Sequence, residues 1–531
     1  MQNMTIAPVK QDTAAVQAVS PQRLLPKFDL PEYIITGTAS VDLPNMEKGT
    51  PDDSPVIQKP LLISPEKIMR DRETMELEMN GGAGRFQAAS RGYSGFAKAG
   101  IGTFFTPQAE VQFGQSFQDY FYSVGGKYFL TKGYAPNTDG SGGGVTLSGG
   151  TTLTPAAALV RNAVLQGDLG YRSDSYHFYG SASPNIQRSI SDFHLQTALE
   201  NRSLKLFPYS AGISLQSMGF SDSSESKTET RFDLNYRTSF PDAGFPLHAA
   251  VHLMSATGGL GMMDFSAGIQ NYSTGGVLFD GMLHFIWAKG MAGQHLARLC
   301  PQLAVSTQLS SQHRIFISYE QSIIPTTLAT SMLTNRFLSA ASSVKHQQVA
   351  GAGELGVESN WTDDVRSRVA INVKSINNLP LFSDSPRQGI WMLAYGGRAT
   401  IVTFCAEMVA KLNSNDYFAS NILLRSAKDS FLVGKIPYTP ELEAWCSITH
   451  RFGPQITVSA DLKFAGERTT DLAGRTTLPK YAVIGVKSDY TPFEFIKLSA
   501  GITNLTDSKF ETWRGYREFP LTAHASVQLI W

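Results

Sequence analysis

The chain ends with the stretch LTAHASVQLIW, residues 521–531, in which apolar and polar side chains alternate. One face carries Leu521, Ala523, Ala525, Val527, Leu529 and Trp531, and the other carries Thr522, His524, Ser526 and Gln528, with Ile530 as the exception. A period of two indicates a β-strand with one apolar and one polar face. This pattern is typical of a β-barrel strand between lipid and a watery lumen, with a terminal aromatic at the membrane interface. The stretch therefore predicts a membrane-spanning strand.

Composition excludes several other classes of protein. Of the 531 residues, 17% are charged, and 45 lysines and arginines balance 45 aspartates and glutamates. Nucleic-acid binding is not expected, because it needs a basic excess or stripe. The mean hydropathy is −0.13, and no apolar run reaches the roughly 18 residues of a membrane helix. These two measures do not exclude a membrane β-barrel, because half of the residues in each of its strands are polar.

Motifs for enzymes, metals and cofactors are missing from the sequence. Cys300, Cys405 and Cys446 form no CxxC pair, which predicts neither disulfides nor a zinc site. Catalytic and nucleotide-binding signatures are absent, so we expect neither an enzyme nor a cofactor. His248 and His252 share one face of a strand-like run, and a lumen wall explains them better than a metal pair. An outer-membrane lipid enzyme with a Ser/His pair remains an alternative.

Further alternating runs fill the chain upstream. The clearest is Ile456–Phe464, and similar runs lie near 231–237, 441–449 and 481–503. A soluble sandwich also alternates, but many strands without intervening helices favour one closed sheet. We therefore predict an all-β fold: a large antiparallel transmembrane β-barrel of about 22 strands, an even number as bacterial barrels require.

The connections near the C-terminus alternate in length. Tight turns are predicted at Phe452-Gly453-Pro454 and at Thr491-Pro492, and long loops at 465–480 and 504–520. Short turns on the periplasmic side and long loops outside are typical of outer-membrane barrels. The Gly/Ser-rich run 137–152 is predicted as another external loop. Between Ile323 and Gln388 the alternation is poor, and no strand is placed there.

The N-terminal part is organised differently. Residues 1–30 are predicted to be a flexible tail and 31–85 a short, mostly irregular periplasmic or lumenal segment, with the barrel at 86–531. Ser64 and Pro65 suit the start of one short helix up to Met79. A secretory signal is expected for a barrel, yet Lys10, Gln11 and Asp12 interrupt the region where its apolar core belongs.

Four blocks near the C-terminus resemble the barrel of TonB-dependent outer-membrane receptors. They are Phe464–Asp471, Leu478–Tyr481, Ile502–Phe510 and Gly515–Pro520, in the family's order and followed by the aromatic terminus. The resemblance covers about the last ninety residues. It implies a bacterial outer-membrane location and a role in solute uptake. Membrane lipid and the barrel-assembly machinery are then expected partners, with Trp531 as the terminal aromatic for insertion.

The resemblance also bears on the N-terminus. Glu32, Tyr33, Ile34, Ile35, Thr36 and Gly37 look like the segment that pairs with the TonB protein, although a short exposed strand or spacer would look the same. The family fills its barrel with a plug domain, but only about 50 residues follow Gly37 before the first strands. The barrel is then open, partly filled by the N-terminal segment or inward-folded loops, or plugged by another protein.

We therefore expect passage or uptake of an unidentified solute across the outer membrane through a polar lumen. The candidate lumen-facing residues are Glu441, Glu443, Asp461, Lys463, Lys487 and Asp489. Each of them also fits a merely solvated lumen wall. The alternative function is a non-transporting partner barrel of an envelope or secretion complex.

Overall fold

A computed structural model describes residues 94–531, apart from 118, 155–158, 205–206, 224, 241–246, 292 and 385–387. The predicted tail, the short helix and the TonB-like segment 32–37 lie outside the described residues. Strand β1 (Ser94–Gly102) pairs antiparallel with β2 (Thr106–Ser116) and also with β28 (Thr522–Ile530), so the sheet closes on itself. The closed sheet has 22 strands, which confirms the predicted fold class and strand number.

The remaining strands of the closed sheet follow in chain order. They are β3 (Tyr120–Thr131), β4 (Gly140–Thr152), β5 (Val164–His177), β6 (Gln187–Asn201), β7 (Tyr209–Ser221), β8 (Ser226–Phe240), β9 (Leu247–Ala256), β10 (Leu260–Thr274), β11 (Val277–Lys289), β12 (His295–Gln308), β13 (His313–Ile324), β14 (Gln347–Thr362), β15 (Val365–Asn377), β18 (Arg398–Lys411), β19 (Asp416–Asp429), β20 (Leu442–Phe452), β21 (Ile456–Ala465), β24 (Tyr481–Phe493) and β25 (Ile496–Thr503). Three small hairpins lie in the connections between them: β16 (Pro380–Ser383) with β17 (Met392–Tyr395), β22 (Arg468–Thr469) with β23 (Thr477–Leu478), and β26 (Glu511–Trp513) with β27 (Tyr516–Arg517). The single helix of the described residues is α1 (Leu328–Thr334).

The wall of the barrel has an apolar outer face. On β28, Val527 and Leu529 are each 47% exposed, whereas Ser526 just before them is buried. On β11, Leu283 and Phe285 are exposed in the same way. A closed sheet with this exterior suits lipid, because no backbone edge is left unpaired. No helix of the described part of the chain is long and apolar enough to cross a membrane.

The two ends of the barrel differ in their connections. The end that carries Trp531 has short turns at 363–364, 453–455 and 494–495, whereas the opposite end has the long connections 325–346 and 504–521. We call these the periplasmic and the external end, following the usual arrangement of outer-membrane barrels.

Trp531 sits at the seam between the first and last strands. Its backbone N–H and carbonyl pair with those of Gly95, both at 3.0 Å. The indole ring covers Gly95 so closely that a Cβ there would lie 2.9 Å from Trp531 Cε2. Glycine is therefore needed at position 95.

Two predicted connections are wrong. Most of the run 137–152 is strand β4, because its glycines make room for neighbouring side chains: a Cβ on Gly142 would lie 2.6 Å from the Phe129 ring. Thr491-Pro492 lies inside β24, where the register shifts between Tyr490 and Phe493. Such a bulge tolerates a proline without its N–H, and the turn itself follows at 494–495.

Candidate functional site

The connection between β13 and β14, residues 325–346, folds into the barrel instead of lying over its surface. We call this segment the lid. Leu328, Leu338 and Val344 are fully buried along it, together with polar residues such as Asn335 and His346. Connecting loops usually lie on the surface, because a buried backbone must find partners for its polar groups. The lid meets this requirement through contacts with the barrel wall.

The first contact is at the start of helix α1. The Thr327 side chain accepts a hydrogen bond from the Thr330 N–H, and the Thr330 hydroxyl accepts one from the Thr327 N–H, which forms a capping box. The buried Glu229 carboxylate of β8 accepts the N–H groups of Leu328 at 2.8 Å and Ala329 at 3.0 Å. Negative charge at a helix N-terminus is favourable. The wall thus satisfies two amides that the short helix leaves open.

A second contact holds the chain beyond the helix. Glu225, in the connection before β8, accepts a hydrogen bond from the Ser339 hydroxyl at 2.8 Å and another from the Ala340 N–H at 2.7 Å. Lys227 Nζ donates to the Ala340 carbonyl at 3.0 Å. Both polar groups of the Ala340 backbone are therefore held by charged side chains of the wall.

The third contact is a buried arginine. Arg188 of β6 donates to the Leu338 carbonyl and pairs with Asp222 at 2.5 Å, and both charged side chains are almost completely buried. Its guanidinium also lies 4.6 Å from the centre of the Phe178 ring. A buried charge pair of this kind stabilises only while both partners are present, because either one alone is an uncompensated buried charge.

His346 joins the two ends of the lid. Its Nδ1 accepts the Thr326 N–H at 3.2 Å and its Nε2 donates to the Lys289 carbonyl at 2.9 Å. Gln294 Oε1 accepts the His346 N–H at 2.8 Å, and Gln294 Nε2 donates to the His346 carbonyl at 3.0 Å. Burial lowers the pKa of His346. The neutral imidazole with its proton on Nε2 is the form that makes both ring contacts.

Aromatic side chains extend the lid across the barrel. Phe337 of the lid packs edge-on against Tyr176 of β5 at 6.0 Å, stacks on Tyr516 at 3.5 Å and lies 6.3 Å from Trp391. Trp391 Nε1 in turn donates to the Tyr438 hydroxyl at 3.3 Å, and burial raises the pKa of Tyr438.

These rings connect separate parts of the wall. Tyr176 belongs to the fifth strand of the 22-stranded ring, whereas Tyr438 follows β19, the seventeenth. Strands so far apart in the ring stand on opposite sides of it. The lid and its aromatic neighbours therefore span the external end of the barrel.

Three candidate lumen residues lie on the inner face of the wall. Glu443, Asp461 and Lys463 are buried, whereas Leu462 between the last two is exposed on the outer face. Arg425 donates to Glu443 at 3.2 Å across the strand pair. The alternation of β20 and β21 thus places these charged groups away from lipid.

The other three candidates are split between the wall and the rim. Lys487 and Asp489 of β24 form an ion pair at 3.3 Å, and Lys497 lies 3.7 Å from the same carboxylate. Glu441 precedes β20 and belongs to an external connection, where it pairs with Lys435 at 2.6 Å and is largely exposed. The structure therefore does not bring all six candidates together.

The sequence did not point to the groups that hold the lid, namely Arg188, Asp222, Glu225 and Glu229. They read as ordinary polar positions near the external ends of β6–β8. The sequence analysis registered the lid only as a loss of alternation after Ile323. The threonines at 327 and 330, which the structure shows to form a capping box, are a second signal that could have marked it.

No protein-family model matches the sequence, and no curated protein matches it. Solved structures do match. The siderophore receptor PiuA from Acinetobacter baumannii aligns with a TM-score of 0.64 at 12% identity, over 86% of this chain and 85% of that one. The FrpB iron transporter from Neisseria meningitidis aligns with 0.64 at 9% identity, over 84% and 82%. The copper transporter OprC aligns with 0.62 at 13% identity, over 83% and 80%. The chain thus has the barrel fold of siderophore and metal receptors, which confirms at the level of fold its resemblance to TonB-dependent receptors.

Proposed function

We propose that the chain is an outer-membrane barrel that admits a solute from outside the cell, and that the lid is its gate. The observation that carries the proposal is a buried, hydrogen-bonded loop across the external end of a 22-stranded barrel. A barrel of this size is wide enough for a large solute when its lumen is clear. The solved structures with this fold include receptors or transporters named for siderophores, iron and copper.

Opening follows from the contacts that hold the lid. A solute shifts the lid outward only if it binds the open arrangement better than the closed one. The external hairpins β16–β17, β22–β23 and β26–β27 are the parts that such a solute meets first. Trp391 and Tyr516 lie in the same connections as two of these hairpins, and Tyr438, in the connection after β19, donates its N–H to the Thr469 carbonyl of β22 at 2.8 Å. All three side chains belong to the buried cluster around Phe337, so movement of the hairpins changes the surroundings of Phe337.

Below the lid, the charged inner face of strands β20, β21 and β24 is a path along which a solute can cross the barrel. Glu443, Asp461, Lys463, Lys487 and Asp489 alternate in sign along neighbouring strands. Alternating charge keeps the wall hydrated without a strong net field. We assign these residues to the solute path, and Glu441 to the rim.

Residues 32–37 are proposed to add a strand to the sheet edge of TonB. Proline at position 35 removes a ladder donor, so Ile35→Pro abolishes energised uptake while leaving the barrel intact. Val16→Pro in the predicted tail is the matched control and retains uptake. If both variants take up as much solute as the unsubstituted chain, the TonB role of residues 32–37 is rejected, and the proposal that the lid is a gate is unaffected.

The proposed function is tested in a bacterium that lacks its own iron and copper receptors. The chain is expressed in the outer membrane, and accumulation of radiolabelled iron-siderophore and copper is followed over time. Accumulation above that of the empty vector supports uptake. A chain that accumulates neither and co-purifies with a large envelope partner supports the partner-barrel alternative instead.

A further inference from the structure

The lid is bound on a second side by the hairpin β16–β17, which is separate from the closed sheet. Leu338 of the lid and Trp391, just before β17, form a parallel β-bridge. The Trp391 N–H donates to the Phe337 carbonyl at 3.1 Å, and the Trp391 carbonyl accepts the Ser339 N–H at 2.7 Å. Leu338 and Trp391 are both fully buried. Backbone pairing thus joins the lid to the hairpin in the way that two strands of a sheet are joined.

Tyr395 of β17 holds the lid further along the chain. Its hydroxyl accepts the Lys345 N–H at 2.9 Å and donates to the Ser343 carbonyl at 3.2 Å. Burial raises the pKa of Tyr395 to about 12, so the hydroxyl keeps the proton that the second bond needs. The Leu393 N–H also donates to the Ser342 hydroxyl at 3.4 Å. The hairpin therefore contacts the lid along most of its second half.

The hairpin is joined to the barrel by two short hinges. Asn378, between β15 and β16, has a left-handed backbone with a φ of 57°, and Gly396 and Gly397 lie between β17 and β18. Hinges are commonly a few small residues at the ends of elements that absorb changes of φ and ψ. Leu381 shares a buried cluster with Ala399 of the wall, but it lies beside the hinges, where a rotation displaces atoms least. The hairpin can therefore turn without breaking the closed sheet.

The partners of the lid on its other side are fixed. Lys227 and Glu229 lie on β8 and Arg188 on β6, and each of these strands is paired with neighbours on both sides. Such a strand cannot follow the lid, because it would lose the backbone hydrogen bonds of its ladders. The contacts of the lid with these three side chains are therefore the ones that break when the lid opens.

The far end of the hairpin contacts two external connections. The Gln388 carbonyl accepts the Ala182 N–H at 2.9 Å, and the Gly389 carbonyl accepts a hydrogen bond from the Tyr516 hydroxyl at 2.7 Å. Ala182 lies between β5 and β6, and Tyr516 begins β27. Displacement of either connection therefore acts on the hairpin directly.

We propose that the hairpin β16–β17 carries the lid: the two turn together as one body about the hinges, and the lid leaves the wall at β6–β8. This shared movement stands on the contacts between hairpin and lid alone. That a solute bound to the external connections starts the movement rests on the proposed function. The hairpin is then the element that opens the gate from outside the cell.

The test uses two cross-links in the full chain, with its three native cysteines replaced by alanine. Ser343→Cys with Tyr395→Cys joins the lid to the hairpin, and Ala340→Cys with Lys227→Cys joins the lid to the wall. The pairs are matched, because in each of them a long side chain now donates to a backbone carbonyl of the lid. A cleavable bifunctional thiol reagent forms the cross-links. The readout is hydrogen exchange of the amides at 328–329, which the wall binds through Glu229.

Each cross-linked chain is compared with the same chain after cleavage by a reductant. The cross-link between lid and hairpin should leave exchange at 328–329 unchanged, because the two still open together. The cross-link between lid and wall should slow this exchange by roughly tenfold or more. Ser342→Cys with Leu393→Cys gives a second cross-link between lid and hairpin, with the same expectation as the first. Heat-modifiable migration on gels shows whether each variant is a folded barrel.

Two results overturn the proposal. If both kinds of cross-link slow the exchange, the hairpin is anchored as firmly as the wall and does not carry the lid. If neither kind slows it, the amides at 328–329 exchange without movement of the lid as a body.

Solute accumulation and conductance in planar bilayers separate this inference from the proposed function. Accumulation of a solute by a chain in which both kinds of cross-link slow exchange overturns the shared movement and leaves the passage of solutes standing. Exchange that follows the prediction, in a chain that accumulates no solute and is silent even when residues 327–344 are removed, supports the shared movement and overturns passage.

Discussion

Removing the Glu229 carboxylate should release the lid. In Glu229→Ala the N–H groups of Leu328 and Ala329 lose the acceptor that now binds them at 2.8 and 3.0 Å. A hydrogen bond to a charged group contributes about 1.5–3 kcal/mol. Taking the lower value for each bond, the closed lid loses about 3 kcal/mol. Because about 1.4 kcal/mol corresponds to a tenfold change in an equilibrium, the open population rises by roughly a hundredfold.

Hydrogen exchange measures this change directly. The readout is exchange of the amides at 337–340, which do not contact Glu229 and so report opening of the whole lid. Glu229→Gln keeps one neutral acceptor and should give an intermediate rise. Glu441→Ala removes a carboxylate from the exposed rim pair with Lys435 and should leave exchange unchanged. Exchange at 337–340 that stays at its original rate in Glu229→Ala refutes the idea that the lid opens as one unit.

Three further predictions concern His346, Arg188 and Gly95. Burial lowers the pKa of His346, so the neutral imidazole stabilises the lid fully above the unfolded pKa of about 6.5, and this stabilisation is lost as the pH falls below that value toward the folded pKa. Hydrogen exchange of the lid amides should therefore become faster on acidification to about pH 5. Exchange of these amides that does not depend on pH in this range would contradict the prediction. Arg188→Met leaves the Asp222 carboxylate buried without its partner and should lower the free energy of unfolding by about 3–5 kcal/mol in urea titrations. The double variant with Asp222→Leu should recover part of that loss. If the second substitution recovers no stability, the buried ion pair does not contribute as described. Gly95→Val forces the Trp531 ring away from the seam and should lower the free energy of unfolding by about 1–3 kcal/mol, seen as unfolding at a lower temperature on heated gels. Gly126→Val, where the nearest atom to the added Cβ is 3.6 Å away, should lower it less. Equal losses of stability in the two variants would reject the close contact between Gly95 and Trp531 as the cause.

The strands with clean alternation were predictable because their burial depends on a local rule. In β21 up to Phe464, and in β28 apart from Ile530, the apolar positions face lipid and the polar positions face inward, and the sequence alone records this. Strand β4 shows where the rule stops. Its glycines carry no side chain to alternate, and their place in the sheet depends on Phe121 and Phe129 of β3, which cover Gly150 and Gly142.

The lid was not predictable in the same way. Its polar groups are satisfied by side chains far away in sequence: Glu229 precedes the amides that it binds by about a hundred residues. No local pattern in 325–346 reveals such partners. The inward-folded loop was one of several fillings left open by the short N-terminal segment, and only the packed structure distinguishes this loop from an external one.

The central claim is that the lid closes the barrel, and single-channel conductance in planar bilayers tests it most directly. The full chain is compared with a variant in which residues 327–344 are replaced by a short Gly/Ser turn. We predict that the full chain is mostly silent and that the variant forms large, steady pores. Steady pores of equal size from both proteins, or silence from both, would contradict the claim.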